Sequence, residues 1–74
     1  MGLKTKHQLA THLGKKIKQV RQSKGISLKH FEALEHAIHR HSLSDIEQGK
    51  KLPSVYTLYR IAHVLQVRMD ELLK

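Results

Sequence analysis

The sequence predicts an all-α fold, a bundle of about five short helices, on three observations. Apolar residues recur at spacings of three and four, as in Leu9, Leu13, Ile17 and Val20 and again in Val55, Leu58, Ile61, Ala62 and Leu65, which sets each group on one stripe of a helix. Punctuation is sparse, with one proline at Pro53 and glycines at Gly2, Gly14, Gly25 and Gly49. No alternation of apolar and polar residues is long enough to specify a strand.

The elements follow in order. The first stripe defines a helix ending near Lys24, with Gly25 as its stop; Lys15, Lys16, Lys18 and Arg21 lie mostly off that stripe. Either Thr5 or Thr11 suits its N-cap, Gly14 weakens the turn between them, and residues 1–8 are expected to be a basic, flexible arm ahead of a domain over 9–74. Ser27 caps a second, short helix from about Leu28 to Glu35, with Phe31 and Leu34 turned inward. A turn spans roughly His36 to His39. Leu43 and Ile46 mark a third helix from about Arg40 to Gln48, stopped by Gly49. Pro53 restricts Leu52 to extended geometry, and Ser54 caps a fourth helix carrying the second apolar stripe. A last short helix covers Met69 to Leu73.

Composition excludes several function classes. A chain of 74 residues holds one small domain and buries only about 60–65% of its unfolded surface, too little to enclose a large active-site pocket. With no cysteine, disulfides, thiolate nucleophiles and cysteine-ligated zinc are absent, which fits an intracellular, cytoplasmic protein. There is no apolar run of membrane-spanning length and no apolar centre of a secretion signal near the N-terminus. Fourteen Lys and Arg against six Asp and Glu give a net charge of +8, and residues 1–31 carry eight of those cations and no acid. Such a block attracts a polyanion, most commonly nucleic acid, although a solvated basic surface has the same composition.

Taken together, L-G-K-K-I-K-Q-V-R-Q-S-K-G-I-S at 13–27, L-S-D-I-E-Q-G-K at 43–50, P-S at 53–54, T-L-Y-R-I-A at 57–62 and V-R-M-D-E-L-L at 67–73 resemble the helix-turn-helix domain of the phage repressor and Cro type, also called the xenobiotic-response-element type. The resemblance covers about 60 residues, nearly everything after the arm. It implies a lambda repressor-like DNA-binding fold with no catalysis and no cofactor. The departures are specific. Between Ser27 and Glu47 the chain is one residue longer than the family pattern, and E-A-L-E-H-A-I-H at 32–39 replaces its usual small residue and glycine. Leu28 stands where phage repressors often carry a phosphate-contacting glutamine, Leu52 replaces a usual polar residue and Gln66 a usual glycine.

The resemblance also implies that the third helix enters the major groove of double-stranded DNA. Counting from inward Leu43 and Ile46, the outward positions are Arg40, His41, Ser44, Asp45 and Gln48. Arg40 suits guanine, whose O6 and N7 a guanidinium meets together, with a phosphate contact as the alternative. Ser44 suits a base or a phosphate. Asp45 either accepts from cytosine N4 or, the favoured role, holds a neighbouring cation. Glu47 occupies the family's structural-acid position and is expected to make no DNA contact. Backbone phosphates are expected at Ser27 and Lys29, at Gln48, Lys50 and Lys51, and at Ser54, Tyr56 and Thr57, where each residue also suits a plain cap or surface role.

Seven histidines invite a metal reading, and His36 and His39 share a spacing that suits one. No third ligand or zinc-binding pattern accompanies them, so no metal site is expected. His41 on the third helix would add charge near the DNA as pH falls. The expected function is sequence-specific transcription regulation, as a repressor in bacterial or phage cytoplasm. The alternative is a DNA-binding antitoxin or accessory factor whose main partner is another protein. RNA recognition is disfavoured because two Tyr and one Phe give few stacking surfaces. Val64, Val67, Met69, Leu72 and Leu73 crowd the C-terminus, which suggests a homodimer through the last helices spanning two half-sites.

Overall fold

Five helices follow one another in the computed structural model, which describes residues 2–74: α1 (Lys6–Ser23), α2 (Leu28–Ala33), α3 (Arg40–Glu47), α4 (Val55–Leu65) and α5 (Met69–Leu73). No strand occurs among the described residues. α1 packs on α3 and α5, α2 on α3, and α4 on α5. Leu13 and Ile17 of α1, Phe31 of α2, Leu43 and Ile46 of α3, Leu58, Ile61 and Leu65 of α4 and Leu72 of α5 meet in a single buried cluster.

The N-terminus of α1 lies further upstream than a 1–8 arm allows. Thr5 Oγ1 accepts from the Gln8 N–H at 3.1 Å, and Gln8 Oε1 accepts from the Thr5 N–H at 2.9 Å. This reciprocal capping box satisfies two donors at the helix start, so residues 6–8 form the first turn of α1 and Thr11 lies within it. The buried face of α1 is also rotated from the expected stripe: Ala10, Leu13, Gly14, Ile17 and Arg21 are buried, and Leu9 and Val20 sit at its margins. Small residues on this face let α3 approach closely, which brings Arg21 inside rather than leaving it in solvent.

α2 stops at Ala33, two residues before the expected end, because Leu34 turns extended with ψ 149° and lies half-buried beyond the helix. His36 then adopts a left-handed φ of 68°, where the family pattern would offer a glycine. Gln48 is the C-cap of α3 rather than its last residue. Gly49 takes a φ of 75° and lies against Thr11 of α1, so it supplies both the stop and a close approach. Ser54 caps α4 as expected, and Val55 is 77% exposed because the first turn of α4 aims it away from the core. Gln66 closes α4 in left-handed geometry with φ 58°, and α5 occupies the expected range.

Candidate nucleic-acid interface

The site is built outward from the buried side of α3. Leu43, Ile46 and Glu47 face inward, and α1 crosses them at Gly14. A side chain at Gly14 would place its Cβ 2.6 Å from the Glu47 carbonyl oxygen and closer still to that of Ile46. Only glycine allows this separation. Two α1 turns further on, Arg21 Nε donates to Glu47 Oε2 at 2.7 Å and Nη2 to Oε1 at 3.0 Å, a bidentate pair 7% and 5% exposed. Arg21 Nη1 also donates to the Ile26 carbonyl. Glu47 is therefore structural, and its buried charge is matched by planar geometry and an additional hydrogen bond.

The opposite end of α3 is held by exposed polar groups. His39 is the N-cap: its Nδ1 accepts from the His41 N–H at 3.1 Å. Glu32 of α2 reaches across the turn, where its Oε2 accepts from the Arg40 N–H at 2.9 Å and lies 3.2 Å from His39 Nε2. The hydrogen bond from the Arg40 backbone, with the positive field of His39, Arg40 and His41, holds the Glu32 carboxyl below the usual carboxylate range. From α4, Arg60 donates to the carbonyls of His36 and Ala37 at 3.1 and 2.8 Å and fixes the turn that delivers α3.

The sequence-predicted base readers all lie on α3. Arg40 and His41 are exposed, and Ser44 and Asp45 are half-buried. Gln48 Nε2 donates to Ser44 Oγ at 2.8 Å, so these two outward residues form one unit rather than separate contacts. Among the described residues no cation forms an ion pair with Asp45; its main-chain carbonyl accepts from the Lys50 N–H at 2.9 Å. The favoured role of Asp45, holding a neighbouring cation, is thus not realised in the free chain.

The phosphate candidates fall into two groups. Ser27 is occupied as the cap of α2, accepting from the His30 N–H at 3.0 Å, with Lys29 exposed beside it. Beyond α3, Lys51, Ser54 and Thr57 line one shallow concavity with Ser42 of α3; Lys50 is exposed nearby in sequence. Ser54 Oγ accepts from the Thr57 N–H and donates to Thr57 Oγ1 at 3.0 Å. Tyr56 is 67% exposed, and its ring packs with Tyr59 and beneath the Arg60 guanidinium, 5.7 Å from its centroid. His36 and His39 do not face one another, since His36 packs edge-on to His63 and His39 stacks on His41.

Sequence reasoning missed Ser42, Glu32, Arg60 and the burial of Arg21. The spacing of four between Tyr56 and Arg60 was a readable signal for their stacking. Glu32 carried one as well, being the first acid after 31 residues without any. A family model described as helix-turn-helix matches residues 17–72, from the second half of α1 into α5. No curated protein and no solved structure matches the chain.

Proposed function

The chain belongs to the helix-turn-helix family, in the repressor and Cro type, and from that membership we propose that it is a sequence-specific double-stranded DNA-binding repressor reading the major groove with α3. The observation that carries this reading is the asymmetry of α3 itself. Leu43, Ile46 and Glu47 anchor one side in the core, so Arg40, His41, Ser44 and Asp45 are left for base edges. An isolated helix fits the major groove, where base pairs present distinct donors and acceptors. Arg40 at the first turn is the guanine reader in this account. Lys50, Lys51, Ser54, Tyr56 and Thr57, with Ser27 and Lys29, set the register on phosphates, and Gln48 acts through its bond to Ser44.

The test is a selection of bound duplexes from a random pool. One enriched sequence, bound with an affinity that falls steeply with salt, supports the reading. At about four phosphates per chain the slope of log affinity against log salt is roughly −3.6. Equal recovery of all duplexes would overturn it.

We place two copies on one operator, because a single reader helix covers too few base pairs for useful specificity and half-sites about 34 Å apart suit a two-fold pair. Leu72 is fully buried and unavailable to a partner, which leaves Leu73, 48% exposed, with half-buried Val64, Val67 and Met69 for a contact through the C-terminal helices. So small a contact predicts a dimer that forms on DNA and dissociates off it. Mass measurement of the free chain and of its DNA complex tests this; a single chain on an asymmetric site refutes it.

A further inference from the structure

The beginning of α3 carries a device that neither repression nor DNA binding requires. The first N–H groups of a helix have no partner inside it. In α3 the Arg40 N–H is taken by Glu32 Oε2 at 2.9 Å and the His41 N–H by His39 Nδ1 at 3.1 Å. The same Glu32 oxygen lies 3.2 Å from His39 Nε2. Because Nδ1 accepts, the hydrogen of a neutral His39 ring resides on Nε2, the nitrogen that faces the carboxylate. One imidazole therefore bridges the α2 carboxylate to the α3 main chain, and it does so in one tautomer only.

We infer that Glu32 and His39 are positioning residues that set the first turn of α3, and with it Arg40, and that His39 releases this turn when it takes up a proton. Protonation puts a hydrogen on Nδ1, so two donors face each other where the cap was, while the Nε2 contact with Glu32 persists. Histidine titrates near physiological pH. Glu32 of α2 faces the ring at 3.2 Å from Nε2, His41 of α3 stacks on it at 5.0 Å between ring centroids, and Arg40 is its neighbour in sequence. From α4, Arg60 grips the turn through the His36 and Ala37 carbonyls, so loosening stays confined to the start of α3. Acidification then acts in two opposed ways: added charge raises affinity for any duplex, and a loosened first turn lowers discrimination.

The functional half of this inference rests on α3 as the DNA reader, whereas the structural half does not, and the experiment separates them. In the free protein, nitrogen NMR of the imidazoles and of the Arg40 and His41 amides is followed from about pH 8 to about pH 5, through the histidine range. His39 should carry its hydrogen on Nε2 at the upper end, and the His41 amide should lose its helical shift as His39 titrates. In His39→Asn, whose amide oxygen caps at any pH, that loss should vanish. Glu32→Gln keeps an acceptor for the Arg40 N–H and should hold the turn, whereas Glu32→Ala should release it. A hydrogen on Nδ1 at high pH, or an unresponsive His41 amide, overturns the inference.

Preference for a matched over a mismatched duplex is then measured across the same range. General charge cancels in that ratio, and His41 is present in both proteins. The ratio should fall roughly fivefold in the unaltered chain, the size of one lost cap, and stay level in His39→Asn. If the NMR response appears without any change in the ratio, the positioning role is overturned. An Arg40→Ala variant with an unchanged ratio would show instead that α3 is not the reader.

Discussion

The two ends of α3 are held by different physics. At its C-terminal end α1 presses against the Ile46 and Glu47 carbonyls through Gly14, and Arg21 clamps Glu47 in a pair almost closed to solvent. At its N-terminal end Glu32 and His39, both reachable by water, supply single hydrogen bonds to two main-chain donors. Interior packing is close and transmits displacement, so the first end fixes where α3 lies. Surface hydrogen bonds are individually modest, so the second end fixes how well formed its opening turn is. A reader helix needs both, and only the second is open to adjustment by pH or by DNA.

Substitutions at the two ends should differ accordingly in size and kind. The largest loss is expected from Glu47→Ala, which strands the Arg21 guanidinium in the core with only the Ile26 carbonyl. About 3–5 kcal/mol of stability should disappear in denaturant unfolding, and pairing it with Arg21→Met should recover much of that. Gly14→Ala comes next, because its Cβ would force α1 and α3 apart; a loss of about 1–3 kcal/mol by the same measurement is expected, with DNA affinity falling alongside. Glu32→Ala should cost far less than either, because it removes one surface hydrogen bond to the Arg40 N–H. Were Glu32→Ala to match Glu47→Ala, the contrast between the ends would be wrong.

The smallest effect is in pH. Glu32 has its folded-state pKa below the usual carboxylate range, so its stabilising contribution is complete above that range and fades as pH falls through its lowered value. Carboxyl carbon NMR should show Glu32 titrating at lower pH than a free glutamate. A titration at or above the ordinary position would contradict the bond to the Arg40 N–H.

Legibility in the sequence follows the same division. Periodicity located α4 and turned Leu43 and Ile46 inward, because those residues act through local spacing. Glu47 was placed as a structural acid by resemblance, but its partner was not, since Arg21 lies 26 residues away and an arginine on a basic helix reads as surface. Gly14 read as a weakness of α1, although it marks a close approach that only the three-dimensional fold reveals. The stripe through Leu9 and Val20 misled because a face rich in small residues and one arginine carries little hydrophobic signal. Val55 was misassigned because the first turn of a helix is not yet wrapped by the core. Glu32 and His39 meet across an irregular turn containing a left-handed His36, and no helical or strand period predicts a contact made that way.

In the proposed complex α3 reads DNA from a fixed seat, with Arg40 touching a base and the flanking lysines touching phosphates. The most direct measurement sets Arg40→Ala beside Lys50→Ala on a matched duplex and on duplexes altered at each base pair in turn. Arg40→Ala should abolish preference at one base pair, worth about 1–3 kcal/mol there, while Lys50→Ala should weaken every duplex alike. Equal weakening of matched and altered duplexes by Arg40→Ala would contradict the account.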